Sequence, residues 1–173
     1  RNHTELMLKF LNYPIKIIKK KNYEKIIVQG LNQFKSFKYN IPGDISSASF
    51  FIVLTLLSKD SKIIIENVNV NPTRIGILNI LNKMGANIKL KNKKVYNGED
   101  VADICVTSKN KFKAINCPSK LNSSAIDEFL IIFLVAAKAK GISKFKDLGE
   151  MNKKESKRLD LAIKFLKLIG IKV

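Results

Sequence analysis

The sequence repeats itself at an interval of about 84 residues, and this repeat limits the possible folds more than any other feature. Three anchors recur nearly in register: an acid before an apolar helix, an arginine near the start of the next helix, and a glycine at its end. The pairs are Asp44 and Asp127, Arg74 and Arg158, and Gly85 and Gly170, which lie 83, 84 and 85 residues apart. Ordered recurrence of this kind indicates two copies of one supersecondary unit.

Hydrophobic periodicity and turn residues predict the same alternation of helix and strand in both copies. In the first copy, the expected elements are a helix capped by Ser46 and Ser47, a strand over 62–68, a helix opened by 71–73 and ended by Gly85, and strands over 87–90 and 101–107. In the second copy, they are a helix that follows Asp127 and runs to Lys140, a strand over 142–148, a helix opened by 154–158, and a strand that begins at 171–173.

The first 40 residues have a different pattern. Residues 2–11 are expected to form the end of a helix, and 15–17 and 26–29 are expected to form the two strands of a hairpin. The segment 29–40 is the best candidate for a boundary between two structural units, because a Pro-Gly turn and a change of composition follow it.

Charge and composition exclude several classes of protein. The formal net charge is +18, but only three of the 32 basic residues are arginines, and the lysines are spread along the whole chain. Aromatic residues make up 8% and tryptophan is absent, so a nucleic-acid surface is not favoured. No apolar run approaches the roughly 18 residues needed to cross a membrane. Two cysteines cannot build a disulfide framework, which fits a reducing cytosol.

Asp127 and Glu128 stand where a strongly apolar helix is expected to begin. Two interpretations remain open for these carboxylates. They can cap the helix and interact favourably with its dipole, or one can act as a partly desolvated general acid or base.

Lys154, Glu155 and Arg158 form the second candidate group. On a helix, residues 154 and 158 lie on one face, so two cations and a helix start would form a site for phosphate or carboxylate. The alternative is an exposed, salt-bridged face. The scarcity of arginine favours a specific role for Arg158, because a planar guanidinium can bind two oxygens at once. We expect no metal site, since His3 and the two cysteines do not form a ligand cluster.

Five ordered motifs make the chain resemble the 5-enolpyruvylshikimate-3-phosphate synthase family over essentially its whole length, and its glyphosate-tolerant bacterial class in particular. They are Pro42-Gly43-Asp44 with Ser46-Ser47-Ala48, Asn71-Pro72-Thr73-Arg74, Met84-Gly85-Ala86, Ile126-Asp127-Glu128, and Lys154-Glu155-Ser156. The resemblance implies an α/β (α+β) fold of repeated βαβαββ units, arranged as inside-out α/β barrel lobes and here incomplete. Residues 1–40 would close the first lobe, and 41–173 would form about two units of the second.

The resemblance also implies an activity: transfer of the enolpyruvyl group from phosphoenolpyruvate to the 5-hydroxyl of shikimate 3-phosphate, on the route to chorismate and the aromatic amino acids. Carried over residue by residue, Asp127 would be the general base, Glu155 would assist proton transfer at the methylene carbon, and Lys154 would lie between the substrates. Arg1 would bind shikimate 3-phosphate, and Arg158 would bind phosphoenolpyruvate. It implies no cofactor, no membrane or nucleic-acid partner, a cytoplasmic location and a monomeric full-length enzyme.

Two departures from the family motif affect the neighbourhood of Lys154. Asn152 stands where the family usually has arginine, and Lys157 where it usually has an acid. Several family motifs are missing, including the Gly-Asn-Ala-Gly-Thr and Asp-His-Arg motifs, and the chain begins without methionine. We therefore expect a piece of a longer enzyme that is inactive alone. The alternatives are a UDP-N-acetylglucosamine enolpyruvyl transferase and a basic nucleic-acid-binding module.

Overall fold

The computed structural model describes residues 1–30, 33–109 and 111–173. The helices are α1 (His3–Phe10), α2 (Ile45–Leu57), α3 (Gly76–Lys83), α4 (Asn122–Ala125), α5 (Phe129–Lys138) and α6 (Arg158–Leu168). The strands are β1 (Ile15–Lys19), β2 (Glu24–Val28), β3 (Lys62–Asn69), β4 (Asn87–Tyr96), β5 (Glu99–Thr107), β6 (Phe112–Lys113) and β7 (Ala139–Lys140). Short 3-10 helices span Ser119–Leu121 and Gly149–Lys153. The predicted segment 29–40 includes residues 31 and 32, which lie outside the described residues.

The main sheet is antiparallel, with β5 between β3 and β4. Each outer strand slips in register against β5 once, between Ile65 and Val68 on β3 and between Lys91 and Lys94 on β4. An asparagine with positive φ lies in each slip, a conformation that asparagine tolerates better than most residues. The β1–β2 hairpin forms a separate two-stranded sheet, as its alternating sequence predicts.

The core lies between this sheet and the helices α2, α3 and α5. Its fully buried side chains include Ile52 and Leu56 on α2, Ile77 and Leu81 on α3, Ile104 on β5, and Phe129 and Ile132 on α5. Burying each such side chain contributes about 1.5–3 kcal/mol before conformational entropy is subtracted. The core therefore fixes α2 and α5 beside each other, and their N-terminal ends carry most of the polar residues discussed below.

Several boundaries differ from the predicted ones for local reasons. The helix expected from residue 71 begins at Gly76, because the Asn71 side chain accepts a hydrogen bond from the Thr73 N–H at 2.9 Å and holds a turn instead. Asp44, rather than Ser46 or Ser47, caps α2: its carboxylate accepts from the Ser47 N–H at 2.9 Å. The strand expected over 87–90 continues to Tyr96 as β4.

The second copy departs further from its predicted elements. Residues 142–148 form only an isolated bridge, between Lys144 and Asn116, and the short parallel pair β6–β7 precedes it. Pro118 has no N–H to extend the pairing on one side, and Asp147 has a φ of 59°, which breaks extended backbone on the other. Residues 171–173 are not a strand, and α6 begins at Arg158 rather than at residue 154.

A network of hydrogen bonds connects α1 to Glu99, the first residue of β5. His3 Nδ1 lies 2.5 Å from Glu99 Oε1, and the Asn71 side-chain amide donates to Glu99 Oε2 at 3.0 Å and to Asn2 Oδ1 at 2.9 Å. Burial pushes the pKa of Glu99 up, but hydrogen bonds from His3 and Asn71 outweigh it and leave the pKa below its ordinary value. Gly98 lies directly under the helix, where a Cβ would be 3.0 Å from the Leu6 carbonyl oxygen.

Gly98 and Gly85 both have positive φ, 81° and 90°. This packing predicts that replacing them by alanine lowers the free energy of unfolding by different amounts. Gly85→Ala should cost only the roughly 1–2 kcal/mol of a left-handed L-residue, because nothing lies within 4 Å of its Cβ. Gly98→Ala should cost more, because α1 must also move away. Urea unfolding of both variants measures the difference, and equal losses of stability would contradict the docking of α1 on Gly98.

Candidate active site

The three arginines of the chain lie in one network around the start of α5. Arg1 precedes α1, Arg74 lies in the turn before α3, and Arg158 is the first residue of α6. Each contacts a carboxylate, at Asp127 or Glu128 or in the segment just before α2. The bias of the chain toward lysine makes this concentration of arginine informative, because guanidinium groups bind oxygen pairs with a geometry that lysine does not offer.

Asp127 receives three cations. Arg1 Nη2 donates a hydrogen bond to Asp127 Oδ2, while Lys154 Nζ and Arg158 Nη1 lie 3.4 and 3.6 Å from Oδ1. Burial alone would raise the pKa of Asp127, but the hydrogen bond and charge of Arg1 and the charge of Lys154 together hold it below its usual value. The carboxylate is therefore ionised at neutral pH and is only 23% exposed.

Lys154 and Arg158 reach Asp127 by a different route from the predicted one. Lys154 precedes α6 and has extended backbone, with φ −81° and ψ −171°, so the two cations do not share a helix face. Glu155 pairs with Arg158 and accepts a hydrogen bond from its Nη2 at 2.6 Å. Its side chain is 79% exposed. The structure thus brings Arg1, Lys154 and Arg158 onto Asp127, with Glu155 one contact further out.

Asn152 occupies a position where the sequence departs from the family motif, and the structure gives it a local role. Its Oδ1 accepts from the Leu159 N–H at 2.9 Å, and its Nδ2 donates to Asp160 Oδ1 at 2.8 Å. Asn152 therefore supplies a side-chain cap for the start of α6, where Lys157 at the N-cap position makes no such hydrogen bond. Asn152 caps α6, and Lys154 lies in the loop between Asn152 and this helix.

A second ion pair lies beside the first. Arg74 Nη2 is 3.2 Å from Asp44 Oδ1 and donates to Ser46 Oγ at 2.6 Å, and Ser46 Oγ in turn donates to Glu128 Oε1 at 2.5 Å. Glu128 is 2% exposed, and this burial raises its pKa above the ordinary value. Glu128 occupies the N-cap position of α5, but no side-chain hydrogen bond caps the helix, so the side-chain capping predicted for this pair is wrong.

Sequence reasoning did not assign Arg74, Ser46 or the pair of His3 and Glu99 to any site. For Arg74, the signal was present in the sequence, because it is one of three arginines and occupies the repeat position of Arg158. His3 and Glu99 gave no such signal, since 96 residues separate them.

A cavity of about 500 Å³ opens beside Asp127, between α2, α5 and α6. The polar residues of its lining are Ser46, Ser49, Asp127, Ser156 and Arg158, and the other lining residues are apolar. Among the described residues, no cluster of histidine, cysteine and acidic side chains is suited to hold a metal ion. The arrangement suits a small anion with an apolar part, bound by cations next to an ionised carboxylate.

Comparison with known proteins identifies the chain's relatives. The sequence model of EPSP synthase (3-phosphoshikimate 1-carboxyvinyltransferase) matches residues 1–173. The chain belongs to the EPSP synthase family. It is 42% identical to the 3-phosphoshikimate 1-carboxyvinyltransferase of Ruthia magnifica subsp. Calyptogena magnifica over 172 residues, and 39% identical to that of Legionella pneumophila (strain Lens) over 171 residues. In each case the alignment covers 99% of this chain and 38% of the relative.

The solved structures agree with the sequence comparison. An EPSP synthase from Acinetobacter baumannii superposes with a TM-score of 0.88 at 34% identity, covering 99% of this chain and 38% of that one. The predicted α/β class and the enolpyruvyl transferase fold are therefore confirmed, and these matches favour neither alternative family. The chain spans 38% of the length of these relatives. No helix in the described part of the chain is long and apolar enough to span a membrane.

The buried carboxylate predicts a pH-dependent effect of Glu128→Gln. Because the folded-state pKa of Glu128 is raised, its proton stabilises the fold below the unfolded value of about 4.3, and that contribution disappears as pH rises through the folded pKa. The variant should therefore gain stability relative to the wild type as pH rises from about 4 to 7. Denaturant unfolding at several pH values measures this. Glu66→Gln, at an exposed position of β3, is the control, and equal pH slopes for the two variants would contradict the prediction.

Proposed function

We propose that this chain carries part of the active site of a 3-phosphoshikimate 1-carboxyvinyltransferase. The reaction transfers the enolpyruvyl group of phosphoenolpyruvate to the 5-hydroxyl of shikimate 3-phosphate and releases phosphate. The observation that carries the proposal is the convergence of Arg1, Lys154 and Arg158 on Asp127 beside a cavity. The names of the relatives support the same reaction.

The charges of the site fit these substrates. Phosphoenolpyruvate and shikimate 3-phosphate each carry a phosphate and a carboxylate, and charge-assisted hydrogen bonds from guanidinium and ammonium groups suit both. Arg1 binds shikimate 3-phosphate, Arg158 binds phosphoenolpyruvate, and Lys154 lies between the two. Side chains fixed in this way hold the reacting atoms close together, which lowers the entropic part of the barrier.

The reaction proceeds by addition and then elimination. In the addition, the 5-oxygen bonds to the central carbon of phosphoenolpyruvate, Asp127 takes the hydroxyl proton, and the methylene carbon gains a proton with the help of Glu155. In the elimination, the bond between the central carbon and the phosphate oxygen breaks, and the departing phosphate takes up the proton that Asp127 accepted. The new methyl group loses a proton, which restores the double bond. No cofactor is needed, because the reaction involves no net oxidation or reduction.

Asp127 becomes a stronger base when the substrates bind. Without substrate, the cations around it hold its pKa low, so it is ionised but accepts a proton poorly. When the phosphate and carboxylate groups of the substrates pair with Arg1, Lys154 and Arg158, those charges are neutralised and the pKa of Asp127 rises. Base strength is thereby linked to occupancy of the site.

The division of the chain follows from the same proposal. Residues 1–40 belong to the end of one lobe and 41–173 to about two units of the other, with the substrates bound where the lobes meet. The placement of Arg1 before α1 and of Asp127 before α5 supports this division, because one site then takes residues from both segments. The complete enzyme is a cytoplasmic monomer.

The 173-residue chain should release no phosphate from the two substrates, because it holds only part of the anion-binding groups that a two-lobed site requires. A chimera in which this chain replaces the matched 38% of the Acinetobacter baumannii enzyme should release phosphate. A phosphate-release assay with both substrates measures the two proteins. Turnover by the chain alone, or an inactive but folded chimera, would count against the proposal.

In the chimera, Asp127→Asn should lower kcat by about 10²–10⁴-fold, because the amide cannot accept the hydroxyl proton. Asp100→Asn, which removes an exposed carboxylate, is the matched control and should leave the rate unchanged. Steady-state kinetics at fixed pH test both variants. If the two variants lost activity equally, Asp127 would not be the base.

A further inference from the structure

Arg74 is close to the active-site carboxylates but lies outside the cavity that Asp127 and Arg158 share. Its side chain is 14% exposed and lines a separate cavity with Asp44 and Glu99. Its guanidinium is directed instead at Asp44, Ser46 and, at 4.0 Å, Glu128. The charge of Arg74 is therefore paired with these groups and lies outside the cavity beside Asp127.

A chain of short contacts leads from Arg74 to Asp127. Arg74 Nη2 donates to Ser46 Oγ at 2.6 Å, and Ser46 Oγ donates to Glu128 Oε1 at 2.5 Å. Glu128 is the residue next to Asp127, and its backbone oxygen accepts from the Ile132 N–H at 3.0 Å in the first turn of α5. These contacts join the turn before α3 to the starts of α2 and α5.

The charge of Arg74 is needed in this arrangement because Glu128 is buried. Glu128 Oε2 has no hydrogen-bond partner among the described residues, and Asp127 adds a like charge beside it. The nearby guanidinium offsets both effects. One nitrogen, Nη2, makes all of these contacts: it binds Asp44 and Ser46 and lies 4.0 Å from Glu128, so the positive charge at this point is what the arrangement needs.

We propose that Arg74 is a positioning residue, which holds Asp127 in its reactive orientation through Ser46 and Glu128. The inference rests on the proposed function. Without Arg74, the buried carboxylate of Glu128 loses its countercharge and the start of α5 shifts to hydrate it. Asp127 then moves relative to the 5-hydroxyl of the substrate, while Arg1, Lys154 and Arg158 remain able to bind anions.

The kinetic test uses Arg74→Gln in the chimera. We expect kcat to fall by up to about 100-fold, as a misplacement of about 1 Å can produce, while KM for both substrates changes little. Arg74→Lys, which keeps the positive charge, should retain more of the kcat than Arg74→Gln. The double variant Arg74→Gln with Glu128→Gln should recover much of the lost kcat, because the unbalanced buried charge is gone. Lys83→Gln, which removes an exposed cation at the end of α3, is the matched control and should keep full activity.

A second measurement separates positioning from folding. In the 173-residue chain labelled with ¹⁵N, Arg74→Gln should shift the backbone amide signals of Asp127 and Phe129, and the added Glu128→Gln should reverse most of that shift. If the wild-type chimera had no activity, the proposed function would fail, but these amide shifts would still decide the link between Arg74 and Asp127.

Three results would overturn the inference. One is a kcat for Arg74→Gln within twofold of the wild-type chimera when rates are corrected for the folded fraction. Another is a loss confined to KM, which would make Arg74 a substrate ligand. The third is failure of Glu128→Gln to rescue either kcat or the amide shifts, which would make the effect of Arg74 independent of Glu128.

Discussion

Two adjacent carboxylates at the start of an apolar helix impose the constraint on which the rest of this structure depends. Asp127 and Glu128 are held in place by α5, whose next turns are buried in the core, so neither can move far into solvent. Buried or half-buried carboxylates need countercharges, and the chain supplies its three arginines here. Because those arginines come from distant parts of the sequence, satisfying this one charge requirement also fixes several elements around α5.

The internal repeat gives this arrangement a simple origin. Asp44 pairs with Arg74, and Asp127 pairs with Arg158, so the same ion pair occurs once in each copy at matching positions. The copies differ in surroundings. Arg74 is 14% exposed and turns toward Glu128, whereas Arg158 is 28% exposed and faces the cavity. The acids differ in the opposite sense, since Asp44 is 52% exposed and Asp127 is 23% exposed.

What could be predicted from the sequence depended on the range of the interactions involved. The apolar helices α2 and α5 and the isoleucine-rich strand β3 follow from local periodicity, and the structure has them. The position of Lys154 did not follow, because its extended backbone is set by a distant contact with Asp127 and by the cap from Asn152. The repeat register paired residues 44 and 74 with 127 and 158, and an ion pair forms in each copy even though the predicted helix geometry was wrong. The register succeeds here because it is independent of local backbone conformation.

Asp127 occupies the position that an anion would take among three cations. This intramolecular ion pair keeps like charges from repelling one another. If the site binds substrates as proposed, their phosphates compete with Asp127 for the same groups. That competition lowers substrate affinity and links catalysis to binding, because only an occupied site then releases the carboxylate to act as a base. Under the proposed function, that link explains why the general base is kept ionised and fully paired. The positioning role proposed for Arg74 fits the same link, since a released Asp127 needs a fixed backbone beneath it.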